Sequence, residues 1–143
     1  MDVGGTMGTE VDKLAVVHAK AQIEDGCKIG PFCTIGPDVV IGKNTALRSH
    51  VVVEGRTTIG SDCDIFPFTT LGIQSQDQKY VHGDVTYTDI GDRTIIREFV
   101  CIHSATEPNT RTSVGDDCAL LAQSHVAHNC TVGNHVIMSH SAT

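Results

Sequence analysis

Aliphatic residues recur at every sixth position along most of the chain, with one break after Leu71 and a second at Pro108. A period of six is far from the 3.6 residues of a helical turn and is typical of short strands joined by tight corners. It predicts an all-β fold, the parallel β-helix built from hexapeptide repeats. The nineteen positions are Val11, Val17, Ile23, Ile29, Ile35, Ile41, Leu47, Val53, Ile59, Ile65, Leu71, Ile90, Ile96, Ile102, Val114, Leu120, Val126, Val132 and Met138.

A second, smaller residue follows each aliphatic position at an offset of four. Three short strands would make one triangular coil, and stacked coils pair strand on strand at ~4.8 Å while the aliphatic side chains fill the interior. The offset positions are then cramped inward slots. They hold Ala15, Ala21, Cys27, Cys33, Val39, Thr45, Val51, Thr57, Cys63, Thr69, Ser75, Thr94, Val100, Thr106, Cys118, Ser124, Cys130, Val136 and Ala142.

Glycines and cysteines follow the same repeat. Eight of the fourteen glycines come directly after an aliphatic position, where we expect a corner with unusual backbone angles. Five of the six cysteines occupy the small slot and Cys101 adjoins it, so we expect buried, reduced thiols that pack as small hydrophobic groups. No CxxC pair is present that would favour a zinc site or a redox disulfide.

Composition fits one soluble domain of 143 residues, with 40% hydrophobic and 19% charged residues. The net charge of -7 argues against binding nucleic acid or an anionic membrane. No apolar run reaches the ~20 residues of a membrane span, and the start of the chain, MDVGGTMGTE, does not resemble a signal peptide. We therefore expect a cytoplasmic protein with a flexible segment over residues 1–10 and a β-helix domain over residues 11–143.

The two breaks in the repeat are polar. The longer, GIQSQDQKYVHGDVTYTD, predicts an inserted loop near residues 72–89, and the shorter lies around SATEPNTRTS. Insertions in a repeat fold usually form loops on one face, often the binding face. His103, His125 and His128 lie just after these loops, and imidazole is the usual general base for a hydroxyl nucleophile.

The segments SQDQKY, IREFVCIH and HVAHNCTVGN together resemble those of the acyl-carrier-protein-dependent UDP-N-acetylglucosamine O-acyltransferases of lipid A biosynthesis. The resemblance runs from about Val11 to Thr143. It implies a left-handed β-helix, a homotrimer, and transfer of a 3-hydroxyacyl group from acyl carrier protein to the 3-hydroxyl of the sugar nucleotide. It implies no metal and no organic cofactor.

The resemblance also assigns roles to residues. His128 would be the general base and His125 would bind and orient the substrate, while Asp77 and Lys79 would hold the sugar nucleotide. Gln76 would lie beside the two loop residues, and His103 would lie on the same face.

Two features depart from the family. Asn129 stands where the family usually has an aspartate directly after the catalytic histidine, so the amide orients the imidazole without supplying charge. Family members also continue beyond the point that matches Thr143, with further coils and a helical carboxy-terminal region. We therefore expect the chain to correspond to the amino-terminal part of such an enzyme.

Three other functions remain open on the residues alone. A zinc protein of the γ-carbonic-anhydrase type would use His103, His125 and His128 as ligands, but it would leave the DQKY segment without a role. A non-catalytic binding or assembly protein could use the same scaffold. An acetyl-CoA-dependent sugar acetyltransferase would be distinguished by its acyl donor.

Overall fold

The computed structural model describes residues 8–143, and this part of the chain consists of short strands joined by turns and two longer loops. In chain order the strands are β1 (Glu10–Val11), β2 (Val16–Val17), β3 (Gln22–Ile23), β4 (Lys28–Ile29), β5 (Thr34–Ile35), β6 (Val40–Ile41), β7 (Ala46–Leu47), β8 (Val52–Val53), β9 (Arg56–Ile59), β10 (Asp64–Ile65), β11 (Thr70–Ile73), β12 (Tyr87–Ile90), β13 (Ile95–Ile96), β14 (Cys101–His103), β15 (Arg111–Val114), β16 (Ala119–Leu120), β17 (His125–Val126), β18 (Thr131–Val132) and β19 (Ile137–Met138).

Every third strand joins the same parallel sheet. The first sheet has the order β1-β4-β7-β10-β13-β16-β19, the second β17-β14-β11-β8-β5-β2, and the third β18-β15-β12-β9-β6-β3. Three consecutive strands therefore make one coil, and successive coils stack in register, as when Ile41 lies beside Ile59. The predicted left-handed parallel β-helix, with slightly more than six coils, is confirmed.

The aliphatic positions of the repeat form the interior. Fourteen of the nineteen are buried, and Val17, Ile23, Val132 and Met138 are partly buried against them. Val11 is 48% exposed, because the first coil described has a neighbouring coil on one side only. Each fully buried Leu or Ile side chain contributes roughly 1.5 to 3 kcal/mol, so the stacked aliphatic residues are the main source of stability.

The small inward slots are filled by groups that also form hydrogen bonds. The Thr45 hydroxyl donates to the Gly60 carbonyl at 2.7 Å, and the Cys27 thiol donates to the Gly42 carbonyl at 3.0 Å. These contacts give hydrogen-bond donors to carbonyl groups at the corner of the next coil. With a small hydrophobic side chain in the slot, those carbonyls would have to bind water instead.

All six cysteines are free thiols, as expected, but two of them are not buried. Cys130 is exposed, because it precedes β18, which is the edge strand of its sheet among the described residues. Cys101 is partly exposed, because it lies on the outer face of β14, next to the inward-facing Ile102.

Six of the eight corner glycines are required for a different reason than the repeat suggested. Of the eight, only Gly72 has a positive φ; the left-handed conformation is instead taken by residues before the small slot, such as Asn44 with φ 59°. A Cβ at Gly42 would lie 2.7 Å from the Gly60 carbonyl carbon, and one at Gly30 would lie 2.6 Å from the Arg48 carbonyl oxygen. Close packing of one corner on the next therefore excludes a side chain.

The two polar insertions are loops that leave the coil at its second corner. The longer loop, over residues 74–86, is shorter than predicted because β11 continues through a bulge at Gly72 to Ile73 and β12 already starts at Tyr87. The shorter loop covers residues 104–110, between β14 and β15.

The amino-terminal segment predicted over residues 1–10 lies largely outside the described residues; the first strand begins at Glu10. Residues 8–143 contain no helix long and apolar enough to cross a membrane.

Candidate active site

Neighbouring strands of the second sheet carry the site's histidines on their outer faces. Side chains alternate along a strand, so the inward Ile102 places Cys101 and His103 outside, and the inward Val126 does the same for His125. The ladder pairs Cys101 with His125. His103 is nevertheless only 6% exposed, although it stands on the outer face of the coil.

A cleft of about 280 Å³ brings five of the six predicted site residues together. It is lined by Gln76 and Asp77 from the longer loop, by His103 from β14, and by His125, Ala127 and His128 from β17 and the corner after it. Lys79 is exposed and does not line the cleft; its backbone N–H donates to the Asp77 carboxylate at 3.0 Å. A wider groove over β1, β4 and β7 contains none of the predicted residues.

His103 and His125 form a direct pair at the base of the cleft. The His103 Nδ1 and His125 Nε2 atoms lie 2.8 Å apart, so one ring donates a hydrogen bond to the other. Burial lowers the pKa of the His103 imidazole, and positive charge on His125 or His128 would lower it further. Two imidazoles at this distance cannot both be protonated favourably, so His103 is the neutral partner at physiological pH.

His128 lies at the mouth of the cleft between a carboxylate and an amide. Its Nδ1 is 3.1 Å from the Asn129 Oδ1, and its Nε2 is 3.7 Å from the Asp77 Oδ2. An amide oxygen only accepts hydrogen bonds, so the neutral ring places its proton on Nδ1 and keeps a free lone pair on Nε2. The Nε2 to carboxylate distance is too long for a hydrogen bond, which leaves that lone pair available to a substrate hydroxyl.

Asn129 also fastens the shorter loop to the coil. Its Oδ1 accepts a hydrogen bond from the Thr106 backbone N–H at 2.9 Å, and its Nδ2 donates to the Thr110 hydroxyl at 2.8 Å. Its backbone has φ 60°, a conformation that asparagine tolerates better than most residues. The sequence indicated only that Asn129 would orient the imidazole, and it gave no sign of this loop contact.

A chain of hydroxyl contacts then connects the two loops beneath the cleft. The Ser75 and Thr106 hydroxyls are 2.6 Å apart, and the Ser75 hydroxyl accepts a hydrogen bond from the Asp77 backbone N–H at 3.1 Å. Ser75 and Thr106 are both buried. Asp77 and His128 are therefore held by one connected set of hydrogen bonds, although they come from different loops and coils.

The described part of the chain has one cluster of side chains that could bind a metal ion. It differs from the three histidines expected for a zinc protein of the γ-carbonic-anhydrase type. Cys101, His103 and His125 offer ligand atoms within 4.8 Å of one another, whereas His128 is not part of this group. The cleft thus contains a base beside an oriented amide and carboxylate. Two of its lining histidines, His103 and His125, also belong to a separate group with the Cys101 thiol, which does not line the cleft.

Comparison with known proteins agrees with the repeat. Residues 20–55 match the bacterial transferase hexapeptide (six repeats) family. The chain is 46% identical over 135 residues to an acyl-[acyl-carrier-protein]–UDP-N-acetylglucosamine O-acyltransferase of Thermodesulfovibrio yellowstonii, and the alignment covers 94% of this chain and 52% of that protein.

Solved structures give the same result. A UDP-N-acetylglucosamine acyltransferase from Francisella novicida superposes with a TM-score of 0.86 at 41% identity, over 89% of this chain and 46% of that one. The corresponding acyltransferase from Bacteroides fragilis gives a TM-score of 0.88 at 35% identity, over 92% and 51% of the two chains.

The fold is a left-handed parallel β-helix, and its repeat is similar to that of the bacterial hexapeptide transferases. The resemblance to the amino-terminal part of the UDP-N-acetylglucosamine O-acyltransferases is confirmed. The chain spans about half the length of the relatives it matches.

Proposed function

We propose that the protein transfers a 3-hydroxyacyl group from acyl carrier protein to the 3-hydroxyl of UDP-N-acetylglucosamine, the first step of lipid A biosynthesis. The observation that carries this proposal is the placement of His128, with an acceptor on its Nδ1 and a free Nε2 facing the cleft. The similarity to acyltransferases named for this reaction supports the choice of substrates.

His128 acts as the general base in this reaction. Its Nε2 takes the proton of the sugar 3-hydroxyl as the oxygen attacks the thioester carbonyl, and the carrier-protein thiol leaves after the tetrahedral intermediate collapses. The proton on Nε2 then returns to the departing thiolate. A sugar hydroxyl is a weak nucleophile at neutral pH, so a positioned base contributes about 10² to 10⁴ in rate.

Asp77 stabilises the imidazolium that forms on His128. Its Oδ2 is 3.7 Å from Nε2, and both side chains are partly exposed, at 24% and 35%. Their attraction is therefore weakened by water, and about 1 kcal/mol is a reasonable upper value.

His125 orients the sugar nucleotide, and Gln76 contacts it from the loop side of the cleft. His103, being neutral and buried, fixes the His125 ring through their 2.8 Å contact. Lys79 lies on the same loop with an exposed side chain, and we assign it to the phosphates of the nucleotide because a flexible ammonium group can reach them from outside the cleft.

The assembly that carries this activity is proposed to be a homotrimer in the cytoplasm, with no metal or organic cofactor required. In one chain, five of the six residues that line the cleft come from one loop and from one strand with its following corner. A neighbouring subunit would supply the missing wall and exclude water from the thioester.

The test is His128→Ala in the full-length protein, compared with His135→Ala. His135 is another exposed histidine on a corner with positive φ, and it does not line the cleft. We expect His128→Ala to lower kcat by about 100-fold or more with little change in the melting temperature. His135→Ala should leave kcat unchanged. Near-normal turnover by His128→Ala would exclude the mechanism.

The donor and acceptor are tested separately. Turnover with 3-hydroxyacyl carrier protein but not with acetyl-CoA would exclude the acetyltransferase, and binding of UDP-N-acetylglucosamine without any turnover would favour a non-catalytic protein.

A further inference from the structure

A thiol lies beside two imidazoles of the cleft, and neither the proposed reaction nor the repeat explains the thiol. Cys101 Sγ lies 3.6 Å from His103 Nε2 and 3.8 Å from His103 Nδ1. His103 Nδ1 lies 2.8 Å from His125 Nε2. The strand geometry creates this meeting, because Cys101 and His103 share the outer face of β14 and His125 is the ladder neighbour of Cys101.

We propose that Cys101, His103 and His125 form a binding site for Zn²⁺. Tetrahedral zinc with bonds of about 2.05 Å to nitrogen and 2.3 Å to sulfur separates two nitrogens by roughly 3.3 Å, and sulfur from nitrogen by roughly 3.5 Å. The Cys101 Sγ to His103 Nδ1 distance is 3.8 Å, close to that value, and the ligand atoms of all three residues lie within 4.8 Å of one another. The two imidazole nitrogens need to move apart by roughly half an ångström, which side-chain rotation supplies.

The donor set favours Zn²⁺ over the cations that are more abundant in cells. Mg²⁺ and Ca²⁺ prefer oxygen ligands, whereas a thiolate with imidazoles selects zinc or similar metals. Three protein ligands leave a fourth coordination position open, and two of the three, His103 and His125, line the cleft. A water molecule would occupy that position, as in open zinc sites.

When Zn²⁺ binds, the site releases one proton. The Cys101 thiol releases its proton to solvent and becomes the thiolate ligand. Each imidazole keeps one proton, on the ring nitrogen that faces away from the metal, so the hydrogen bond between His103 and His125 is replaced by two bonds to zinc. The site does not depend on the proposed acyl transfer, and it is measured without substrate.

The experiment measures metal binding by the purified, metal-free protein. Zn²⁺ is titrated in competition with a chromogenic chelator, and Co²⁺ is added in a parallel titration to report sulfur ligation through thiolate-to-cobalt absorption. We expect one metal ion per chain and a thiolate charge-transfer band. Cys101→Thr should abolish the band and weaken zinc binding by about 100-fold or more. Threonine suits the position, because Thr70 occupies the matching place in the adjacent strand.

Cys130→Ser is the matched control, since Cys130 is an exposed cysteine outside the cluster. It should leave both the stoichiometry and the cobalt spectrum unchanged. The proposal is overturned if wild type binds no metal, if Cys101→Thr keeps the charge-transfer band, or if Cys130→Ser loses it. A variant with His103→Gln that still shows wild-type affinity would also contradict the site.

Discussion

Replacing Asn129 separates its two roles, fastening the shorter loop and holding the His128 ring. Asn129→Ala removes the acceptor of the Thr106 N–H and the donor to the Thr110 hydroxyl. Thr106 is 2% exposed, so its N–H loses a partner in a buried place, at about 1 to 3 kcal/mol. The second hydrogen bond adds about 1 kcal/mol, and alanine at φ 60° adds about 1 kcal/mol more.

The expected cost of Asn129→Ala is therefore about 3 to 5 kcal/mol in the free energy of unfolding, measured by urea denaturation. Asn129→Asp keeps an acceptor for Thr106 and His128 and loses only the donor to Thr110, so it should cost about 1 kcal/mol. The two variants differ by one carboxylate group, which only Asn129→Asp carries. The difference between their free energies of unfolding therefore measures the contribution of the hydrogen-bond acceptor.

Asn129→Asp and Asn129→Ala should also differ in kcat. A carboxylate 3.1 Å from His128 Nδ1 would attract the imidazolium by about 1.3 kcal/mol in a water-like medium, or about tenfold in rate. The water-like value applies because Asn129 is exposed and His128 is 35% exposed.

We therefore expect Asn129→Asp to preserve kcat or raise it by up to about tenfold, and Asn129→Ala to lower it. The assay is acyl transfer by the full-length protein at a temperature where both variants are folded. Equal kcat for the two variants would refute the claim that this side chain orients the base, and equal stability would refute its role in holding the loop.

Three further results are expected. Gly42→Ala should destabilise the fold by about 2 kcal/mol or more, because its Cβ would meet the Gly60 backbone at 2.7 Å. Gly36→Ala, whose nearest neighbouring atoms lie at 3.6 Å, should be nearly neutral in thermal unfolding. The pKa of His103 is lower in the folded protein than in the unfolded chain, so the unfolded chain takes up this proton at a higher pH. The free energy of unfolding should therefore fall as the pH drops below about 6.5. His103→Gln should remove part of this pH dependence, measured by urea titrations at about pH 5 and 7.5. Zn²⁺ should inhibit acyl transfer by wild type but not by Cys101→Thr, and equal inhibition of both would indicate a different site of metal action.

The coil could be predicted from the sequence because one physical requirement repeats in every turn. Ile41 and Ile59 both face the interior, and an aliphatic residue at each sixth position places one such side chain inside on every strand. The conformation of the corner residues was harder to predict, because two different requirements act on residues two positions apart. Asn44 takes the positive φ, while Gly42 makes room for the backbone of the next coil, and both residue types are typical of turns.

The contact between Cys101 and the histidines of the cleft could not be predicted from spacing, because it depends on where the insertions leave the coil. Cys101 meets His125 only if the shorter loop leaves the coil between β14 and β15 without shifting the ladder, and a displacement by one residue would turn His125 inward. The buried state of His103 likewise depends on its surroundings in the cleft rather than on its strand. The repeat thus determines where each coil lies. The candidate site lies where polar loops interrupt the repeat, and the contacts of Cys101 and Asn129 there could not be predicted from the six-residue period.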